Sequence, residues 1–331
     1  MGRTEGGVLC SWDNAAVRLP PRRRLGTSVI VLGLLLAACG GGGNGGETDG
    51  ETAGSAARGI IVGSFDFSES GTVGEVYAQA LEAAGFPVQR ATGLGSREVV
   101  EPALEQGALD MVPEYLGTAL RFLHEGTLTG TTLTDTATAY PLLRQIFEAR
   151  GVTVLTPAPG QNQNGVAVTR QTAEQLGLRR ISDLAPVADG LVFGGPPECP
   201  ERPFCMLGLR STYGLAFKEF RALDGSGPLT VAALEGEEVD AAIVFTTSPA
   251  AERFVLLEDD RRLQPAENLV PVVRTDALRR HGDRLRQVLD AVSAQLHTAD
   301  LVALNRQVDV DRRPVPEVAR AWLVQHGLGP R

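Results

Sequence analysis

Lysine is almost missing from this chain: Lys218 is the only one among 31 basic residues, a bias that reads as codon supply. There is no basic stripe and no net positive charge, so the electrostatic footprint of a nucleic-acid binder is absent. Histidine is scarce, and His124, His281, His297 and His326 show no metal-ligand spacing. No Gly-x-Ser-x-Gly element, P-loop or dinucleotide glycine pattern occurs at a strand–helix junction. An enzyme would need a reactive side chain beside an activating partner, and none presents itself. Aromatic residues make up 5% of the chain, with four tyrosines and two tryptophans, Trp12 and Trp322. Long apolar runs are lacking too. The stretch 25–38 is too short to span a bilayer comfortably as a helix.

That short run still carries information. Arg22, Arg23 and Arg24 precede it, and it ends Leu36-Ala37-Ala38-Cys39. This is the layout of a secretory signal peptide over residues 1–38. The ending also matches the lipobox of bacterial lipoproteins, in which the cysteine, here Cys39, is acylated and becomes the first mature residue. A buried core helix is the alternative. It fits poorly, because glycines follow at once and a Gly/Asn/Glu/Thr/Ser stretch fills 39–58, the composition of a flexible tether. Beyond the leader, the chain carries 26 basic and 38 acidic residues, a formal net charge of −12. An acidic body suits a cationic ligand, and it also suits plain solubility.

Of the four cysteines, Cys10 lies in the leader and Cys39 at the lipid site. Cys199 and Cys205 remain, close together in a Pro-rich loop. Export would place them in an oxidising compartment, where a local disulfide is the default. A metal site, the other use of such a pair, has no nearby histidine or second cysteine pair.

From residue 59 onward, short apolar runs alternate with amphipathic segments. Strands are expected at 59–63, 87–91, 109–112 and 152–155. Helices are expected at 71–85, 96–106, from 116, and at 134–150. Thr72 with Glu75 has the form of a capping box for the first helix, and Ser96 that of an N-cap for the second. Residues 157–164 break the rhythm with Pro, Gly, Gln and Asn and read as a crossing between two units. The second unit is expected to hold strands at 166–169, 191–193 and 239–245, with helices at 172–178, 207–213 and 230–236. A strand at 270–274 returns to the first unit, followed by a helical tail over 275–327. No internal repeat is visible. Glu237-Glu238 and Asp259-Asp260 sit in polar turns and are expected to be solvated. Alternation at this spacing predicts an α/β protein with largely parallel sheets. Two lobes, 59–160 with 267–331 and 161–266, would be joined by two hinge crossings, and a ligand would bind between them at strand ends.

Several stretches become specific in order and spacing. They are Gly63-Ser64-Phe65-Asp66-Phe67-Ser68-Glu69, Leu109-Asp110-Met111-Val112-Pro113-Glu114-Tyr115-Leu116-Gly117-Thr118, Val239-Asp240-Ala241-Ala242-Ile243-Val244-Phe245-Thr246-Thr247, Val255–Asp260, Asn268 with Pro271-Val272-Val273, and a late Asn305–Asp309 element. Together they resemble the glycine betaine/choline substrate-binding lipoproteins of osmoprotectant ABC importers, over about 59–323. The resemblance implies a type II periplasmic-binding fold, no catalysis and no cofactor. It implies partnership with an ABC permease and its ATPase subunits, and attachment to the outer face of the cell membrane by lipid.

A quaternary ammonium has no N–H to donate, so aromatic faces must hold it through cation–π attraction. A carboxylate tail is best met by a guanidinium. By position, the resemblance implies Tyr115 and Thr118 as binding residues and Arg202 as the contact for the carboxylate. Phe245 with Thr246, and Asn268 before the returning strand, take positions where the family lines its cleft. Ser96 would face the same space. The chain departs from the family at three places. Phe65 stands where a lysine is usual. The amide-rich Gln161-Asn162-Gln163-Asn164 replaces a usual tyrosine, and Glu267 replaces an aromatic. These departures thin the aromatic cage and suit a larger, more hydroxylated or less cationic ligand, with Phe65 as cage wall and Asn162 and Asn164 as polar contacts. Three other readings remain: a binding protein for an amino acid or another polar solute, a ligand sensor for a signalling partner, and a structural envelope lipoprotein.

Overall fold

The computed structural model describes residues 59–124 and 133–329. The signal peptide, Cys39 and the 39–58 stretch lie outside the described residues.

Among the described residues, ten strands form two five-stranded sheets. The first sheet holds β1 (Ile60–Gly63), β2 (Val88–Ala91), β3 (Met111–Tyr115), β4 (Val152–Val154) and β10 (Leu269–Arg274) in the order β2-β1-β3-β10-β4. The second holds β5 (Asn164–Val168), β6 (Val192–Gly195), β7 (Glu219–Ala222), β8 (Ala241–Phe245) and β9 (Val255–Leu257) in the order β7-β6-β8-β5-β9. In each sheet four strands run in one direction, and the strand arriving from the other half runs antiparallel between its neighbours. β10 and β5 are those arriving strands. Mixed α/β architecture with two such sheets is the type II periplasmic-binding arrangement.

The two halves repeat one another where the third strand of each sheet begins, and there Ala103-Leu104-Glu105 with Asp110 is matched by Ala233-Leu234-Glu235 with Asp240. Asp110 accepts from the Ile61 N–H at 3.0 Å while its own N–H reaches the Ile61 carbonyl at 2.9 Å. Asp240 does the same with Val192, at 2.7 and 2.9 Å. Each aspartate stitches the entry of its sheet's third strand to the first strand, just after a turn that folds two N–H groups back onto an alanine carbonyl, Ala103 or Ala233.

Helices α1 (Ser68–Ala83), α2 (Arg97–Glu105), α3 (Leu116–Leu123) and α4 (Thr136–Glu148) belong with the first sheet. So do α8 (Thr275–His281), α9 (Asp283–Gln295), α10 (Thr298–Asp309) and α11 (Val315–Gln325) of the tail. α1 is buried along most of its length and packs against α9, α10 and α11. The Tyr77 hydroxyl, deep in this packing, meets Ser293 Oγ at 2.9 Å. α5 (Arg170–Leu176), α6 (Met206–Tyr213) and α7 (Pro228–Glu235) belong with the second sheet, whose core centres on Phe193, Leu209, Ile243 and Leu257.

The first helix differs from expectation. It begins at Ser68, a turn earlier than the apolar pattern shows, because Phe67 adopts the extended N-cap conformation. Thr72 therefore lies inside the helix, its hydroxyl donating to the Ser68 carbonyl at 2.9 Å. Glu75 pairs with Arg90 at 2.6 Å, so no capping box forms. Asp259 is not a solvated turn residue either. It accepts from the Tyr213 hydroxyl at 2.5 Å and from the Leu263 and Gln264 N–H groups at 2.9 and 2.7 Å, pinning the chain as it leaves β9.

Two crossings join the halves, one between β4 and β5 and one between β9 and β10. They run side by side. Gln161 and Asn268 form a bridge, the Asn162 N–H donates to the Glu267 carbonyl at 3.1 Å, and the Leu269 N–H reaches the Gly160 carbonyl at 3.0 Å. The returning crossing passes so close to α3 that a Cβ at Gly117 would collide with Pro265 and come within 2.9 Å of the Ala266 carbonyl. Only glycine admits that approach, which is what brings Glu267 against the start of α3.

Candidate functional site

A cleft of about 650 Å³ opens at the carboxyl ends of the parallel strands of both sheets. Such strand ends are where α/β sheets place ligands, because loops and helix starts converge there. One wall comes from residues just after β1 (Asp66, Phe67), from the end of β3 (Tyr115) and from one face of α3 (Thr118, Arg121, Phe122). The opposite wall comes from the loop after β6 (Pro196 to Cys205), the turn after β7 (Leu223 to Gly225), and Ile243 and Phe245 of β8.

Three aromatic side chains meet on the cleft. The Phe67 ring lies 5.8 Å from that of Tyr115 and 5.5 Å, edge-on, from that of Phe245, so it joins the two walls. Behind it Phe65 stacks at 6.0 Å. The Arg97 guanidinium sits 4.9 Å from the Phe65 ring centre and forks onto Glu114 with two bonds of 2.7 Å. Burial opposes the charge on Arg97, and the Glu114 carboxylate more than offsets it, holding the guanidinium above its ordinary pKa. Glu101, buried beside this pair, is pushed well above the carboxylate range, first by desolvation and then by the Glu114 charge.

Beneath the aromatics sits Glu69, in the first turn of α1 and 4% exposed. Its Oε1 accepts from the Tyr115 hydroxyl at 2.7 Å and from Asn162 Nδ2 at 2.8 Å. Its Oε2 accepts from Thr247 Oγ1 at 2.5 Å and Asn305 Nδ2 at 2.6 Å. One carboxylate thus ties together β3, a crossing, the end of β8 and α10. The Tyr115 hydroxyl is held well above its ordinary pKa by burial and by the Glu69 charge, so it remains a donor.

Of the residues expected from sequence, Tyr115, Thr118, Asn162, Asn164, Arg202 and Phe245 line the cleft. Asn164 Nδ2 donates to the Phe204 carbonyl at 3.1 Å. Arg202 ion-pairs with Glu98 at 2.9 Å and lies 5.5 Å from the Phe122 ring centre. Cys199 and Cys205 form a disulfide, with Cα atoms 5.3 Å apart, that closes the loop carrying Arg202, Pro203 and Phe204.

Four expected residues lie off the wall. Phe65 is 3% exposed and belongs to the first core, because the chain leaving β1 turns that side chain inward and its neighbour but one, Phe67, outward. Ser96 stands at the N-cap position of α2, but its hydroxyl donates to Glu98 at 2.6 Å and caps nothing. Thr246 Oγ1 accepts from the Gln163 N–H at 2.9 Å. Asn268 donates to the Ala158 carbonyl at 2.8 Å and accepts from Thr136 Oγ1 at 2.6 Å, fastening the crossings.

Sequence reasoning missed Phe67, Arg97, Arg121, Phe122 and the hub Glu69. The period of α3 could have found two of them, since Thr118, Arg121 and Phe122 fall at i, i+3 and i+4 on one face.

Two α/β halves joined by paired crossings, with an aromatic and charged cleft at the strand ends, define a solute-binding protein of the type II class. Residues 58–325 match the family "Substrate binding domain of ABC-type glycine betaine transport system", and the chain belongs to that family. It is 31% identical to a glycine-betaine-binding protein of Pseudomonas aeruginosa, over 81% of this chain and 88% of that one. It is 26% identical to an ergothioneine transport permease/binding protein, EgtU, of Helicobacter pylori, over 81% of this chain and 48% of that protein. The solved structure of apo YehZ from Escherichia coli superposes with a TM-score of 0.59 at 27% identity, covering 82% of this chain and 100% of that one.

Proposed function

We propose that this protein captures a small betaine- or choline-like cation outside the cytoplasm and delivers it, unaltered, to an ABC permease and its ATPase subunits. The observation that carries this reading is the cluster of Phe67, Tyr115 and Phe245, which joins both walls of the cleft. An aromatic face attracts a desolvated quaternary ammonium by about 0.5–2 kcal/mol. A ligand touching rings from both halves would favour the closed arrangement, which the permease could distinguish from the open one. Arg121 on the same wall could meet a carboxylate tail. The amides Asn162 and Asn164 could meet hydroxyl or ring-nitrogen groups, which widens the ligand class to larger betaines such as ergothioneine. Export through the 1–38 segment and lipid attachment at Cys39 complete the reading, resting on the Leu-Ala-Ala-Cys ending.

A thermal-shift panel of glycine betaine, choline, carnitine, ergothioneine and proline tests it. A ligand at a hundred times its dissociation constant stabilises by about 2.7 kcal/mol. Stabilisation by a trimethylammonium compound but not by proline supports the reading. Stabilisation by proline alone overturns it. Mass spectrometry of the membrane-bound protein should find a diacylglyceryl adduct on Cys39, and an intact, unmodified leader would contradict the anchor.

A further inference from the structure

Glu267 is a buried carboxylate on the cleft wall that makes no ion pair among the described residues. Four other buried carboxylates are provided for. Glu75 pairs with Arg90, Asp110 with Arg280 and Glu114 with Arg97, while Glu69 accepts four hydrogen bonds. Glu101 lacks hydrogen-bond partners but does not line the cleft. Glu267, 4% exposed, accepts from Thr118 Oγ1 on Oε1 and from the Gly117 N–H on Oε2 at 3.2 Å, and makes no ion pair among the described residues. A carboxylate offers about four acceptor sites, so about half its capacity is unused.

We propose that Glu267 is the counter-charge for the ligand's cationic group, and that ligand capture drives a proton off it. The inference rests on the cationic-solute reading above and deepens it by naming the anion.

The surroundings support the coupling. From α2, Arg97 attracts Glu267, but its guanidinium is forked onto Glu114 of β3, whose charge opposes ionisation. α3 presents Thr118, with Arg121 one turn further on. The paired crossing presents the neutral Gln161, Asn162 and Asn268. Across the cleft stand Arg202, already paired with Glu98, and Glu198, with Asp66 on the near wall. Desolvation dominates this balance and lifts Glu267 to a pKa of about 7, against the hydrogen bonds from Thr118 and Gly117. In the empty cleft near neutrality the group is therefore partly a neutral acid. An arriving cation favours the carboxylate. The carboxyl O–H bond breaks, its electron pair stays on oxygen, and the proton passes to water and buffer. A neutral or anionic ligand would not release a proton at this group.

Titration calorimetry of the full chain with choline and with glycine betaine, each in two buffers of different ionisation heat, reads this directly. At a pH of about 6.5 the wild type should release roughly half a proton or more per ligand. Glu267→Gln should bind with buffer-independent heat and with affinity reduced about tenfold or more. Binding with the same heat in both buffers overturns the inference while leaving the proposed function standing, as does unchanged affinity in Glu267→Gln. If neither compound binds, and carnitine and ergothioneine do not bind either, both are overturned. The two-buffer comparison uses the unsubstituted protein, so it stands even if the variant folds poorly.

Discussion

The Tyr115 hydroxyl donates to Glu69 Oε1 across 2.7 Å, so an aromatic on the cleft is also bound into the joint between the two halves. Its ring is available to a ligand and its oxygen is not. Tyr115→Phe should therefore keep most of the ring's contribution to binding but cost about 1–2 kcal/mol of stability, the price of one hydrogen bond to a charged group. Glu69→Ala leaves the Tyr115, Asn162 and Thr247 donors without an acceptor and Asn305 with only its bond to the Thr247 carbonyl, and should cost about 3 kcal/mol or more. Denaturant unfolding measures both. Equal stability of the two variants would show that Glu69 is not the hub.

Glu267 makes stability depend on pH in the direction opposite to that of a salt-bridged carboxylate. Its folded pKa of about 7 lies above the ordinary value of 4.5. Below 4.5 it is protonated in both the folded and unfolded states and costs nothing. As pH rises to about 7 the unfolded chain ionises first, and the folded state loses stability on the order of 3 kcal/mol. Glu267→Gln should thus change little near pH 4–5 and stabilise the ligand-free protein above about pH 7. Melting curves across that range decide it, and a variant less stable at high pH would contradict the assignment.

Arg202 and Arg121 should differ. Arg202 is held by Glu98, whose side chain is 53% exposed, so the pair contributes under about 1 kcal/mol. Arg121 has no ion pair among the described residues and faces the same cleft. Arg121→Ala should weaken glycine betaine relative to choline about tenfold, the scale of one charge-assisted contact to a carboxylate. Arg202→Ala should shift both ligands alike and slightly. Parallel calorimetric titrations separate the two outcomes.

The Cys199–Cys205 disulfide closes a loop of seven residues that forms part of one wall. By the loop-entropy argument it contributes about 2 kcal/mol. The double variant Cys199→Ser/Cys205→Ser should melt earlier by a corresponding amount and bind ligand more weakly, since Asn164 and Gln264 both hydrogen-bond the Phe204 carbonyl within that loop. Reductant should reproduce the effect in the wild type and leave the double variant unchanged.

The strand–helix alternation was legible because apolar runs and helical periodicity mark buried elements. Two strands escaped. β7 at an edge reads Glu-Phe-Arg-Ala and is only partly buried, and β9 has three residues. The repeat of the two halves was overlooked although Ala-Leu-Glu precedes both Asp110 and Asp240 at the same spacing, because four matching residues in eight show their meaning only once both aspartates are seen bonding the same backbone position. Tyr115, Thr118 and Asn162 could be placed on the cleft through the family resemblance. Phe65 and Phe67 could not be told apart, because the chain has left β1 at Gly63 and strand parity no longer applies. Glu69 looked like an ordinary acidic residue in a helix's first turn, and its four donors come from positions 46 to 236 residues away. Glu267 was visible only as a departure from an expected aromatic.

The central claim is that the cleft holds a trimethylammonium group against the aromatic cluster at Phe67. Calorimetric titration of choline and glycine betaine into wild type, Phe67→Ala and Phe65→Ala tests it most directly. The account predicts micromolar or tighter binding by the wild type. It predicts at least a tenfold loss in Phe67→Ala, as expected for a removed cation–π wall. Phe65→Ala should instead act on stability, by about 3–5 kcal/mol for a buried phenylalanine. Unchanged affinity in Phe67→Ala, in a protein that binds either ligand, would contradict the account.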